Sequence, residues 1–121
     1  MADHNRTVGQ AGENLACEYL QRHGMKKLAA RYRTRAGEID LIMQDKDAIV
    51  FVEVKTRKND RFGTPAEAVT RKKQATISRV AMQYLMLNGW EDRCVRFDVV
   101  EVYTEKLWVN HIKDAFYTRF D

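Results

Sequence analysis

Two apolar runs, Glu38 to Gln44 and Ala48 to Thr56, follow one another with only Asp45-Lys46-Asp47 between them. Side chains alternate faces along a strand. In the first run Ile39, Leu41 and Met43 take one face, and Glu38, Asp40, Ile42 and Gln44 the other. In the second, Val50, Val52 and Val54 oppose Ile49, Phe51, Glu53 and Lys55. Strands with apolar residues on both sides need cover on both sides, which places them inside a sheet. So short a link favours an antiparallel hairpin.

The flanking sequence can supply the covering layers. Residues from about Val8 to Arg22 read as a helix, with Val8, Ala11, Leu15, Ala16, Tyr19 and Leu20 on one face. Asn5 or Thr7 suits its N-cap and Gly24 its C-terminal stop. Glu13 falls on the border of that apolar face. A second helix is predicted from about Ala66 to Asn88, with Pro65 at its start and Asn88-Gly89 at its end. Ala68 or Val69, Ile77, Val80, Ala81, Tyr84 and Leu85 form its apolar side. Between them lies a charged loop, Arg57 to Gly63, with Asn59, Asp60 and Gly63 as turn formers. Lys26 to Tyr32, Val95 to Tyr103 and Leu107 to Ile112 read as further strands. The order is α-β-β-β-α-β-β, an α/β (α+β) arrangement of helices on a mixed sheet, and 121 residues suit a single domain spanning 1–121.

The hairpin carries the chemistry. If its loop is Lys46-Asp47, or the four residues Asp45 to Ala48, paired residue numbers sum to 93. Asp40 then lies opposite Glu53, and Glu38 opposite Lys55, with Cβ atoms of opposed residues about 4.5–5.5 Å apart. A three-residue loop would offset the acids by one. Two carboxylates at that spacing are hard oxygen ligands of the kind that suit Mg²⁺ or Mn²⁺, with the Val54 carbonyl as a further donor. Lys55, on the face of Glu53, could steady an attacking water or a phosphorus oxyanion. Glu13 could add an outer acid if the first helix crosses the sheet here. Each residue also has a plainer reading: Glu53 and Lys55 as a surface ion pair, Asp40 as a loop cap, Glu13 and Gln74 as exposed helix residues. The combination of acid, then acid-x-lysine, on consecutive strands is what argues for a site.

Charge distribution points to a class of partner. The net charge is +4, and from Arg22 to Arg35 there are six basic residues and no acid. From Lys55 to Lys73 there are seven basic residues against Asp60 and Glu67. Basic segments thus bracket the hairpin, which fits a polyanion partner or a solvated basic surface equally well. The polar amino terminus has no apolar run after it, so a signal peptide is not expected, and no stretch suits a membrane span. Cys17 and Cys94 fit no metal spacing and read as two reduced, buried thiols, which with the lack of targeting signals suggests the cytoplasm. His4, His23 and His111 form no spaced set.

Gly12-Glu13, Gly37-Glu38-Ile39-Asp40-Leu41-Ile42, Phe51-Val52-Glu53-Val54-Lys55-Thr56-Arg57 and Arg96-Phe97-Asp98-Val99 together resemble the YraN family of small, largely uncharacterised bacterial proteins. The resemblance covers about residues 8 to 103. The family is similar to restriction-endonuclease-like nucleases and to archaeal Holliday junction resolvases, whose signature is an acid, then Asp, then Asp/Glu-x-Lys. That resemblance implies a four-stranded mixed sheet flanked by helices. It implies Asp40 and Glu53 as metal ligands, Lys55 as the catalytic lysine, Glu13 as the acid from the first helix and Gln74 as the helix glutamine. Ile39-Asp40 stands where many nucleases with this signature have Pro-Asp.

The function these readings favour is a Mg- or Mn-dependent nuclease hydrolysing DNA phosphodiester bonds. Arg31, Arg33, Arg35, Arg57, Lys58, Arg61, Lys72 and Lys73 would hold the backbone without reading its sequence. Structure-specific recognition of branched, junction or single-stranded DNA, and a homodimer, follow from the resemblance alone. The other readings are a nucleic-acid-binding module without turnover and a scaffold protein that uses another surface.

Overall fold

In the computed structural model, residues 2–58 and 69–118 are described, with side chains from residue 10 onward. Seven elements follow one another: α1 (Ala2–Arg22), β1 (Lys26–Thr34), β2 (Gly37–Asp45), β3 (Ala48–Arg57), α2 (Arg71–Leu87), β4 (Val95–Tyr103) and β5 (Trp108–Ile112). The strands form one mixed sheet in the order β1-β2-β3-β4-β5. Among the described residues β3 and β4, joined across α2, pair in parallel, and the other neighbours are antiparallel. The α+β class and element order are those expected, with β5 adding a fifth strand to the four that the resemblance implies.

Each helix covers one face. α2 buries Ile77, Val80, Ala81, Tyr84 and Leu85 against Ile49, Phe51, Phe97 and Val99. α1 buries Ala16, Cys17 and Leu20 against Val50, Val52, Val100 and Val102 on the other side. The central strands are therefore apolar on both faces because each face meets a helix.

Several boundaries move. α1 begins at Ala2, so Asn5 and Thr7 lie within it rather than at its cap; Asp3-His4-Asn5-Arg6 has no apolar spacing to mark those turns. α2 begins at Arg71, capped by Thr70, whose hydroxyl accepts from the Lys73 N–H at 3.1 Å. Val69 is buried just before the helix. Asn59, Asp60, Arg61, Gly63, Pro65, Ala66 and Ala68 lie outside the described residues. Asn88 and Gly89 do end α2, with Gly89 at φ +67°. Cys17 is buried as expected, but Cys94 is exposed. It sits in the turn before β4, where its carbonyl accepts from Ile49 N–H while its side chain has no layer above it.

The hairpin has the expected register. Paired residues run from Asp45 with Ala48 to Leu41 with Val52. The face assignment of β2 needs correcting, however. Ile39 packs with Ile42 in the α2-side core, while Leu41 and Met43 pack on the α1 side. Alternation breaks at Asp40. Across the ladder, β1 pairs Ala30 with Leu41 and Tyr32 with Ile39, and between them Arg31 adopts φ +52°. A left-handed residue turns the phase of its strand, and the neighbouring strand follows.

Candidate functional site

The site forms where the sheet forks. β1 stays with β2 down to Gly37, and β3 stays with β4 up to Arg57, but β2 and β3 are paired only as far as Leu41 and Val52. Asp40 and Glu53 are the first residues past that point. Here the Asp40 carboxylate, not a backbone carbonyl, accepts from the Val54 N–H at 2.8 Å. Glu38 does not meet Lys55 across the ladder as expected. The strands have separated, and Glu38 instead pairs with Arg33 at 3.2 Å.

Glu53 projects from the α2 side of β3 and is 6% exposed. Two ammonium groups approach the same oxygen, Oε1: Lys55 Nζ at 3.8 Å and Lys73 Nζ at 3.6 Å. Burial pushes the Glu53 carboxyl up, against the pull of Lys73 and Lys55. Asp40 is pushed up to about 7, first by burial and then by repulsion from Glu53, with the Val54 hydrogen bond opposing and Glu13 adding to the rise. Two carboxylates crowded together with little solvent strongly favour a cation between them.

Glu13 reaches the fork from α1. Its carboxylate takes the Arg31 Nε at 2.7 Å. α1 can come this close because residue 12 is glycine: a Cβ there would stand 2.2 Å from Thr56 Oγ1 on β3. Gly37 has a matching role on the other face, where a Cβ would meet Thr76 Cγ2 of α2 at 2.5 Å. Both glycines of the sequence motifs thus set helix-to-sheet spacing around the acids.

The basic residues divide. Arg31 and Lys73 are counter-charges of Glu13 and Glu53 within the site, a placement that sequence spacing cannot reveal because their partners lie on other elements. Arg57 is half-buried, with its Nε 3.4 Å from the Glu101 carboxylate but outside hydrogen-bonding geometry. Arg33, Arg35, Lys58 and Lys72 are exposed, and Arg61 lies outside the described residues. Arg71, Lys72 and Lys73 fill the first turn of α2, with no acid among them. Cations at a helix N-terminus oppose its dipole, so helix stability does not explain them. Gln74 spends its amide N–H on the Val69 carbonyl at 2.9 Å, tying down the approach to α2.

The donor set fits a hard divalent ion. Mg²⁺ commonly takes one or two protein carboxylates and fills its remaining positions with water and substrate phosphate. Asp40 and Glu53 supply two such carboxylates, and the Val54 carbonyl is the adjoining backbone donor. Among the described residues no group of three or more His, Cys, Asp or Glu side chains is poised to hold a metal, so any cation here would draw on water or substrate as well.

The profile of the uncharacterised protein family UPF0102 matches residues 12–102. A UPF0102 protein of Alkaliphilus oremlandii is 52% identical over 116 residues, covering 93% of this chain and 99% of the relative. One from Symbiobacterium thermophilum is 53% identical over 98 residues, 81% of this chain and 83% of its own length. One from Clostridioides difficile is 45% identical over 112 residues, 93% and 98% of the two chains. The matched span includes Glu13, the forked hairpin and α2. No helix among the described residues is long and apolar enough to cross a membrane.

Proposed function

Given that the chain belongs to the uncharacterised protein family UPF0102, we propose that its forked hairpin is the active site of a Mg- or Mn-dependent nuclease that hydrolyses DNA phosphodiester bonds. One observation carries this reading. Asp40 and Glu53 emerge from adjacent strands at the point of separation, both pushed up by burial, with two lysine ammonium groups on the second. A mere surface ion pair would need neither the burial nor the second acid.

In hydrolysis a water oxygen bonds to phosphorus, one P–O ester bond breaks, and the departing oxygen takes a proton. Asp40, Glu53 and the Val54 carbonyl would hold the divalent ion, which when bound acidifies its water and offsets negative charge on the phosphate. Lys55 lies beside Glu53, where its ammonium can orient the water or donate to a phosphate oxygen. Lys73 pairs with Glu53 from an exposed position and would turn toward an incoming phosphate. Arg31 holds Glu13 near the fork. Exposed Arg35, Lys58 and Lys72 would contact the backbone without reading bases. Branched, flapped or single-stranded DNA is the substrate class to test first, and a homodimer is proposed with it.

The test incubates labelled junction, flap, single-stranded and duplex DNA with Mg²⁺ or Mn²⁺. Cleavage is expected to fall at least a hundredfold in Asp40→Ala, Glu53→Ala and Lys55→Ala. Cleavage unchanged from the parent in all three variants would overturn the site. A binding module without turnover is the second reading, favoured by the lysines already paired with Glu53. It requires salt-sensitive binding that survives loss of the acids, with no cleavage of any substrate.

A further inference from the structure

A cavity of about 750 Å³ opens on the α1 side of the sheet, beside the β2–β3 turn. Glu53 faces the other side and lies five residues along β3 from Ala48, about 17 Å at the usual strand rise. The volume is in the range of small-ligand sites. Tyr19, His23, Lys46, Arg96, His111 and Lys113 line it.

The polar groups here are held from behind. Asp98 is fully buried and accepts from Arg96 Nε at 2.9 Å and Nη2 at 3.0 Å, from His111 Nε2 at 2.7 Å and from the Asp114 N–H at 3.1 Å. Burial alone would raise this carboxyl, but His111, Arg96 and the Asp114 N–H hold it below the usual range. It therefore accepts and does not donate, which fixes the His111 proton on Nε2 and leaves Nδ1 as an acceptor. Arg96 spends a third N–H on Asp45 at 3.0 Å. A guanidinium has five, so two remain. Lys46 and Lys113 are exposed at the rim.

One wall is aromatic. The Tyr19 and His23 rings lie with centroids 4.2 Å apart at 32°, and His111 meets Tyr19 edge-on at 6.3 Å. The His23 Nδ1 is bonded to the Tyr19 carbonyl at 2.8 Å, which holds the pair in place. Arg96 is offset by Asp98 and by Asp45, which also lines the cavity, so the surplus positive charge comes from Lys46 and Lys113; beside a preformed ring pair it matches a phosphate ester attached to a flat base and disfavours a metal ion.

We propose that this cavity binds a nucleotide phosphate: Arg96, Lys46 and Lys113 take the phosphate, and the Tyr19–His23 pair stacks on the base. The ligand is a free mononucleotide or the phosphorylated end of a strand, which present the same chemistry. The site is independent of the forked hairpin and stands or falls without it.

Proton–nitrogen NMR titrations with AMP, adenosine, inorganic phosphate and a short 5′-phosphorylated oligothymidylate test it. AMP is expected to shift the His23 and His111 ring signals and the Arg96 guanidinium, and to bind at least tenfold more tightly than adenosine or phosphate alone. The double variant Lys46→Ala/Lys113→Ala, altered only at exposed positions, should weaken AMP about tenfold, whereas Glu53→Ala should leave it unchanged. A tighter oligonucleotide assigns the site to strand ends, and a tighter AMP to free nucleotide. No shifts at millimolar AMP, equal affinity for adenosine, or an unaffected double variant would each overturn the proposal. Inorganic phosphate binding as well as AMP would remove the base from it.

Discussion

The Asp40 carboxylate accepts the Val54 backbone N–H at 2.8 Å, just where β2 and β3 cease to pair. One side chain thus closes the fork in the sheet and satisfies a donor that the missing ladder would otherwise leave open. It also fixes the carboxylate beside Glu53 and ties the site's acidity to the packing of the sheet.

Asp40 should therefore leave a mark on the pH dependence of stability. Its folded carboxyl is pushed up to about 7, chiefly by burial and then by Glu53, whereas an unfolded Asp titrates near 4, at about 3.9. Between those values the folded chain keeps a proton that the unfolded chain has lost. This group's contribution is full below about pH 4 and drains away as pH rises toward about 7. Asp40→Asn cannot titrate. Its melting temperature relative to the parent is expected to climb between pH 5 and pH 8; an offset that stays constant with pH would contradict the raised value.

Added divalent ion should relieve the same repulsion. In Mn²⁺ at a hundredfold excess over its dissociation constant, the parent gains about 2.7 kcal/mol by linkage, or several degrees in melting temperature. Asp40→Asn and Glu53→Gln should lose most of that gain. A gain retained in both variants would move the cation elsewhere.

Gly12→Ala sets helix propensity against close approach. Alanine favours a helix interior by about 1 kcal/mol over glycine, but the new Cβ would stand 2.2 Å from Thr56 Oγ1. Overpacking of this kind costs about 1–3 kcal/mol, so the variant is expected to be less stable by urea denaturation. Thr56→Ala removes the clashing hydroxyl and should turn Gly12→Ala neutral or stabilising. Additive effects in that double variant would exclude the contact as the cause.

Arg31 combines a left-handed backbone, φ +52°, with the ion pair to Glu13. Arg31→Ala loses the pair and keeps the strain, while Arg31→Gly loses both. A left-handed conformation costs a non-glycine residue about 1–2 kcal/mol, partly offset by the entropy of glycine in a strand. The glycine variant should have the higher urea midpoint of the two. The reverse order would mean that the turn at residue 31 is unstrained.

Much of the frame was legible because it rests on local periodicity. Apolar residues on both faces of two consecutive runs required an interior hairpin, and the two- or four-residue loop reading of the short link gave the register that pairs Leu41 with Val52. The apolar stripe of α2 matched the core it fills, from Ile77 to Leu85, whereas on α1 Ala16, Tyr19 and Leu20 pack inward but Ala11 and Leu15 are exposed. The break at Asp40 was not legible. It accompanies a left-handed torsion at Arg31 on the neighbouring strand, and nothing in the alternation of β2 encodes it.

Sequence alone determined the element order and the candidate acids, and narrowed the hairpin register to the alternatives a short loop allows, since each depends on residues close together in the chain. Tertiary structure decided where the strands part, that Lys73 and Arg31 answer Glu53 and Glu13, and that Asp98 stands behind a separate cavity. Those relationships join groups on different elements, and burial together with Coulomb forces acts through space rather than along the chain.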